Sequence, residues 1–145
     1  MESVRTMAMI TWAGGNAGVG PGNIVGNWRV FIKLGDFVDP EPSNTFLLMD
    51  QREDAVHPTV SFDIDMEGYP NQPQLQRCYD MPAMHHQGAT NLSFADGHNE
   101  RRRWLDPRTT PPLMPGGFAP AGWSPLPSPN NADVRWLQDR ATRAL

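Results

Sequence analysis

Asn91-Leu92-Ser93-Phe94-Ala95, then Asp96-Gly97, then His98 to Leu105, is the stretch whose reading decides the fold. Leu92 and Phe94 alternate with Asn91, Ser93 and Ala95, the period-two pattern of a half-buried strand. Asp96-Gly97 supplies hairpin turn chemistry, because glycine tolerates positive φ. The return strand runs from His98 to Leu105 and stops at Asp106-Pro107. Its register stays open: a type I′ turn and a type I turn with a bulge put opposite faces of the return strand inward.

Working outward, Ser61 to Glu67 also alternates, with Phe62, Ile64 and Met66 on one side and Asp63, Asp65 and Glu67 on the other. This predicts a second half-buried strand with its acids in solvent. Thr45 to Met49 is a short continuous apolar run, expected as a buried strand ending at polar Asp50. Trp28 to Leu34 fits a strand or a short helix, and residues 83–86 fit a strand joined to 90–95 around Gly88, forming a meander. Residues 1–27 read as an irregular Gly- and Asn-rich lead-in. Pro107 to Pro129 carries eight prolines and three glycines, so it reads as a wrapping segment pinned by Phe118 and Trp123, or as a linker. Asn130 or Asn131 can cap a helix over 130–145, where Val134, Leu137, Ala141 and Ala144 recur at helical spacing. The expectation is one α+β domain. It has a β-rich core over 28–106, a small antiparallel sheet and a C-terminal amphipathic helix.

Composition agrees. In 145 residues, 15 prolines and 13 glycines make up about a fifth of the chain, against roughly 12% in ordinary domains. That favours short elements joined by turns. The net charge of −4 argues against nucleic acid, which calls for clustered cations. Arg101-Arg102-Arg103, beside Glu100 and Asp106, reads as a solvated strand end. The single cysteine, Cys78, excludes an intrachain disulfide and lacks the neighbours of an activated thiol. No stretch has the length of a membrane helix or the layout of a signal peptide, so the chain as given reads as soluble, or as a soluble part of something longer.

His86 is followed by nine residues and then Asp96-Gly97, inside Pro82-Ala83-Met84-His85-His86-Gln87-Gly88-Ala89-Thr90 and the hairpin that follows. This resembles the prepilin-type processing-associated H-X9-DG domain, the C-terminal part of type II secretion-like pseudopilins of planctomycetes and verrucomicrobia. Pro42-Ser43-Asn44-Thr45-Phe46-Leu47-Leu48-Met49-Asp50 resembles the family's strand ending in an acid. Phe94 to Glu100 with Trp104 resembles its hairpin, and Asn131 to Leu137 its terminal helix. The resemblance covers about residues 28 to 140. It implies a non-catalytic structural or binding subunit of a cell-envelope apparatus, with other pseudopilin-like subunits or envelope proteins as partners. Any membrane contact would come only through an N-terminal helix that this sequence lacks. The location would be extracytoplasmic if the parent gene carries a prepilin signal.

The motif residues His86, Asp96 and Gly97 have a plain structural reading. Five or six strand residues at ~3.3 Å each would hold His86 and Asp96 about 17–20 Å apart, so the spacing would record hairpin length. A second reading is a metal site from Asp50, Asp96, His98 and Glu100, the last two sharing a strand face; a mixed His-carboxylate set suits zinc and an oxygen set suits calcium. A third is a calcium loop opening at Asp63, Asp65 and Glu67 with Gly68 at position six, although its twelfth position is Gln74 rather than Glu. No nucleophile elbow, phosphate loop or H-E-x-x-H motif is present. No cofactor is required, and an enzyme is not expected. The alternative is a metal-binding hydrolase or glycan-binding domain using Asp50, Asp96 and His98.

Overall fold

A computed structural model describes residues 6–14, 27–55, 61–114 and 124–145. Its main sheet has five strands: β1 (Thr6–Ile10), β2 (Phe46–Gln51), β3 (Ser61–Phe62), β5 (Ala89–Phe94) and β6 (Asn99–Arg103), in the order β3-β1-β2-β5-β6. β4 (Arg77–Cys78) and β7 (Leu126–Pro127) make a second, two-stranded sheet, and α1 spans Ala132–Asp139. The α+β class stands. The main sheet is mixed rather than antiparallel throughout, because β1 runs parallel to β3.

The 91–105 stretch forms the β5–β6 hairpin, with Ser93 opposite Asn99 and Leu92 opposite Glu100. The Gly97 N–H donates to the Phe94 carbonyl at 3.0 Å and the Phe94 N–H to the His98 carbonyl at 2.9 Å. Only Gly97 of the loop has positive φ, at 95°. A type I′ turn would also need positive φ at Asp96, so the turn is the bulged alternative. That register puts His98, Glu100, Arg102 and Trp104 on the same face as Leu92 and Phe94.

This inner face builds the core. Ala8, Ile10, Phe46, Met49, Leu92, Phe94 and Trp104 pack with Trp12, Phe62 and Leu137. Asn131 caps α1, its side-chain oxygen accepting the N–H groups of Asp133 at 2.8 Å and Val134 at 3.3 Å. The helix is only eight residues long; Ala141 is buried beyond it, whereas Ala144 bridges to Trp28 outside any helix.

Several expectations are corrected. The lead-in is not wholly irregular: Thr6–Ile10 is a strand flanked by β2 and β3, its inner residues Ala8 and Ile10 fully buried. Trp28 to Leu34 is neither strand nor helix; Trp28 and Phe31 make isolated bridges to Ala144 and Ala13, and a 3-10 turn covers Leu34–Asp36. Residues 83–86 are not a strand. The chain bridges at Pro82 to Gln51, then turns at 85–87 with positive φ at Gln87 and Gly88, so β5 has β2 as its other neighbour instead. The strand at Ser61 stops at Phe62, and Asp63 and Asp65 are buried, not solvated. They turn inward to donors the fold supplies: buried hydroxyls of Thr11 and Ser61 for Asp63, and the Glu67 N–H and Arg77 guanidinium for Asp65.

Phe118 and Trp123 lie outside the described residues. Of the described Pro-rich segment, 124–129 is held by the β4–β7 pairing and by the Ser128 N–H on the Gln76 carbonyl at 2.8 Å, and 111–112 by Arg52. This wholly buried side chain donates to the carbonyls of Pro111 at 2.8 Å and Pro112 at 3.0 Å.

Candidate functional site

The motif residues sit at opposite ends of β5. At one end, residues 84–88 form a turn closed by the Gly88 N–H on the Met84 carbonyl, at 3.3 Å. His86 is on this turn, and its carbonyl accepts from Arg101 at 2.7 Å. Its Nε2 faces Asp50 at 3.9 Å, while neighbouring His85 pairs with Glu53 at 3.2 Å. His85 thus meets a carboxylate of the 3-10 turn that follows β2, while His86 faces Asp50 of β2 beyond hydrogen-bond distance.

Asp96 lies beyond the other end of β5. Its Oδ1 accepts the His98 N–H at 3.1 Å and meets His98 Nδ1 at 2.5 Å. His98 Nε2 meets Glu100 Oε1 at 3.2 Å, and the imidazole stacks on Phe94 with ring centres 4.3 Å apart. Both nitrogens can donate together only in the imidazolium. Its hydrogen bond to Asp96, reinforced by Glu100, holds the His98 pKa above its ordinary value. The His98 N–H and then its ring hold the Asp96 carboxyl below its own.

Of the set Asp50, Asp96, His98 and Glu100, the fold brings together the last three and leaves out Asp50. Asp50 follows Met49, which pairs with Leu92, and so stands beside Asn91, toward the His86 end. Asp50, Asp96 and His98 therefore cannot share one centre. The three that do meet are arranged around the imidazole, not around a common point. Among the described residues no group of three or more His, Cys, Asp or Glu side chains is placed to hold a metal ion.

The calcium-loop acids are engaged by the protein. Asp63 Oδ1 accepts from the hydroxyls of Thr11 and Ser61. Asp65 accepts the Glu67 N–H at 2.8 Å and pairs with Arg77 at 2.9 Å; Glu67 meets the same guanidinium at 3.4 Å. Asp63, Asp65 and Arg77 line a cavity of about 10 Å³ with Cys78, Tyr79 and Asp80, room for a single water at most. Burial pushes the Cys78 thiol up to about 12, so its thiolate is not populated at neutral pH.

Asp80, Arg52 and Asp133 matter to this architecture, and no sequence motif marks them. Asp80 accepts the Asp63 N–H at 2.6 Å, and burial raises its pKa well above the ordinary value. Asp133 takes the N–H groups of Leu105 and Asp106, both at 2.8 Å, and faces Arg102 at 3.3 Å. It thereby joins the start of α1 to the end of β6. The available sequence signal was an acid in the first helical turn, which the macrodipole alone accounts for. A surface cleft of about 380 Å³ lies between Asp39, Glu41 and Asn44 on one side and Asp139, Arg140 and Arg143 on the other. Arg143 and Asp39 pair across it at 3.0 Å.

Comparison with protein-family models, curated proteins and solved structures finds no match to this chain. Among the described residues, no helix is long and apolar enough to cross a membrane.

Proposed function

We propose that this chain is a non-catalytic structural or binding subunit, the globular domain of a pseudopilin-like protein in a bacterial secretion or pilus-like apparatus. The observation carrying this reading is the separation of His86 and Asp96 by the length of β5. The H-X9-DG spacing then measures a strand and its two end contacts, not a pair of reacting groups. The resemblance of the 42–50, 94–104 and 131–137 segments to the family supports it. So does the absorption of Asp63, Asp65, Asp133 and Asp54 into the protein's own hydrogen bonds, which leaves those carboxylates to structural work. On this reading the domain faces the extracytoplasmic side of the envelope and contacts other pseudopilin-like subunits or envelope proteins.

Protease accessibility and in vivo cross-linking of the tagged protein in its native host test the proposal. Digestion from the extracytoplasmic side and cross-links to subunits with prepilin-type N-termini are expected. Recovery in the cytoplasm with no such cross-link would contradict it.

A further inference from the structure

We propose that the open edge of β6 is a docking site for an extended, acidic segment of a partner protein, added to the sheet as a sixth strand. β6 is the last strand of the sheet, and Asn99, Glu100, Arg101 and Arg103 are exposed. Among the described residues no strand pairs with its outer side.

The hairpin register shows which peptide groups are open. The Phe94 N–H binds the His98 carbonyl and the Trp104 N–H binds the Gly88 carbonyl. Residues 98, 100, 102 and 104 therefore direct their backbone groups at β5, as alternate antiparallel pairs must. Asn99, Arg101 and Arg103 direct theirs outward. Their side chains project from the face opposite the core, since successive residues alternate. A strand laid along this edge would pair directly with Arg101 and Arg103 and bring two of its own side chains, at i and i+2, beside their guanidiniums.

Charge decides what kind of strand fits. Arg101, Arg102 and Arg103 are consecutive in a chain of net charge −4. On the core side, Arg102 lies 4.8 Å and Arg140 4.3 Å from the Trp136 ring centre. On that side Arg102 pairs with Asp133 at 3.3 Å and exposed Glu100 lies near Arg140. The edge therefore owes its positive charge to Arg101 and Arg103 on the outer face, Arg101 also donating to the His86 carbonyl at 2.7 Å. A second copy pairing β6 with β6 would set arginine against arginine, the device that keeps open edges from self-pairing. The same charges admit a strand with carboxylates at alternate positions, so repulsion of self and attraction of an acidic partner come from one set of residues. The inference does not rest on the pseudopilin reading; it needs only the hairpin.

The test is fluorescence anisotropy of the full chain with a labelled ten-residue peptide alternating Glu and Val, against one alternating Lys and Val. Saturable binding of the Glu peptide alone is expected. Binding should fall about tenfold in R101E/R103E, from reversed cross-strand pairs. Arg101→Pro is the sharper variant. It removes an edge donor and leaves the β5 ladder intact, so it should abolish binding where Arg101→Ala only weakens it. Arg103→Pro repeats the test at the next open position, and circular dichroism with urea unfolding establishes that each variant is folded. Equal binding of both peptides, no binding of the Glu peptide, or equal affinity of R101P and R101A would overturn the proposal. So would dimerisation of the unmodified chain that R101P abolishes, which assigns the edge to a second copy.

Discussion

Arg52 grips Asp54 through two parallel hydrogen bonds, Nε to Oδ1 at 2.5 Å and Nη2 to Oδ2 at 2.7 Å. The pair lies inside the molecule, with Arg52 wholly buried. Asp54 also accepts the Met114 N–H at 2.9 Å, while Arg52 holds two proline carbonyls. Together they fasten the Pro-rich segment to the end of β2.

Removing one member strands the other's charge. Arg52→Met is expected to cost about 3–5 kcal/mol in urea unfolding, and the R52M/D54L double variant less than R52M alone. Burial raises the Asp54 pKa, but the Arg52 and Met114 hydrogen bonds outweigh it and the result lies below 3.8. A lowered carboxyl stabilises the fold above its unfolded pKa and loses that contribution as pH falls through the folded value. The Arg52–Asp54 contribution should therefore survive at neutral pH and fade only in strong acid.

Asp80 has the opposite sign. Burial, with Asp63 nearby, raises its pKa, although the Asp63 N–H pulls the other way. Its favourable state is the protonated one, complete below the ordinary carboxylate pKa and lost as pH rises through the folded value. Asp80→Asn keeps an oxygen for the Asp63 N–H. It should raise the melting temperature at pH 7 to 8, with the gain disappearing below about pH 4. A variant less stable than the parent at pH 8 would count against this.

His98 should titrate above its ordinary value of 6.5, as read by NMR of the imidazole. Because the folded pKa is raised, its contribution is complete below the unfolded pKa and lost as pH rises through the folded one. Asp96→Asn should bring the titration back toward the ordinary value. If His98 titrates unchanged in D96N, the Asp96 contact is not its cause.

Two glycines should respond unequally to alanine. Gly97 has φ of 95° and open space where a Cβ would stand. Its substitution should cost about 1 kcal/mol, for conformation alone. At Gly68, φ is 79° and a Cβ would lie 2.3 Å from the Gln72 carbonyl oxygen. Backbone would have to shift, so G68A should be the more destabilising of the two on denaturation.

How far the sequence could be read depended on whether the information was local. Leu92 and Phe94 alternate before a Gly that needs positive φ, so the hairpin was legible, as were the 45–49 strand and the Asn131 cap. Ser61 to Glu67 shows the same alternation, yet the strand ends at Phe62. There the outcome turned on Thr11, fifty-two residues from Asp63, and on Arg77 beside Asp65. Hydrophobic period records which residues are apolar; it does not record where donors from other parts of the chain wait for a carboxylate. Arg52 hid for the same reason, reading as the polar end of a strand. Of the candidate site, the His98–Glu100 face was readable from i, i+2 spacing, whereas the parting of Asp50 from Asp96 required the β2–β5 register.

The central claim is that His86 and Asp96 frame β5 and do not form a shared site. A double-mutant cycle of His86→Ala and Asp96→Ala, measured by chemical denaturation, tests it most directly. Residues about 17–20 Å apart should behave additively, with a coupling energy within about 0.5 kcal/mol of zero. A coupling above about 1 kcal/mol would contradict the account and place the two residues in one interacting centre.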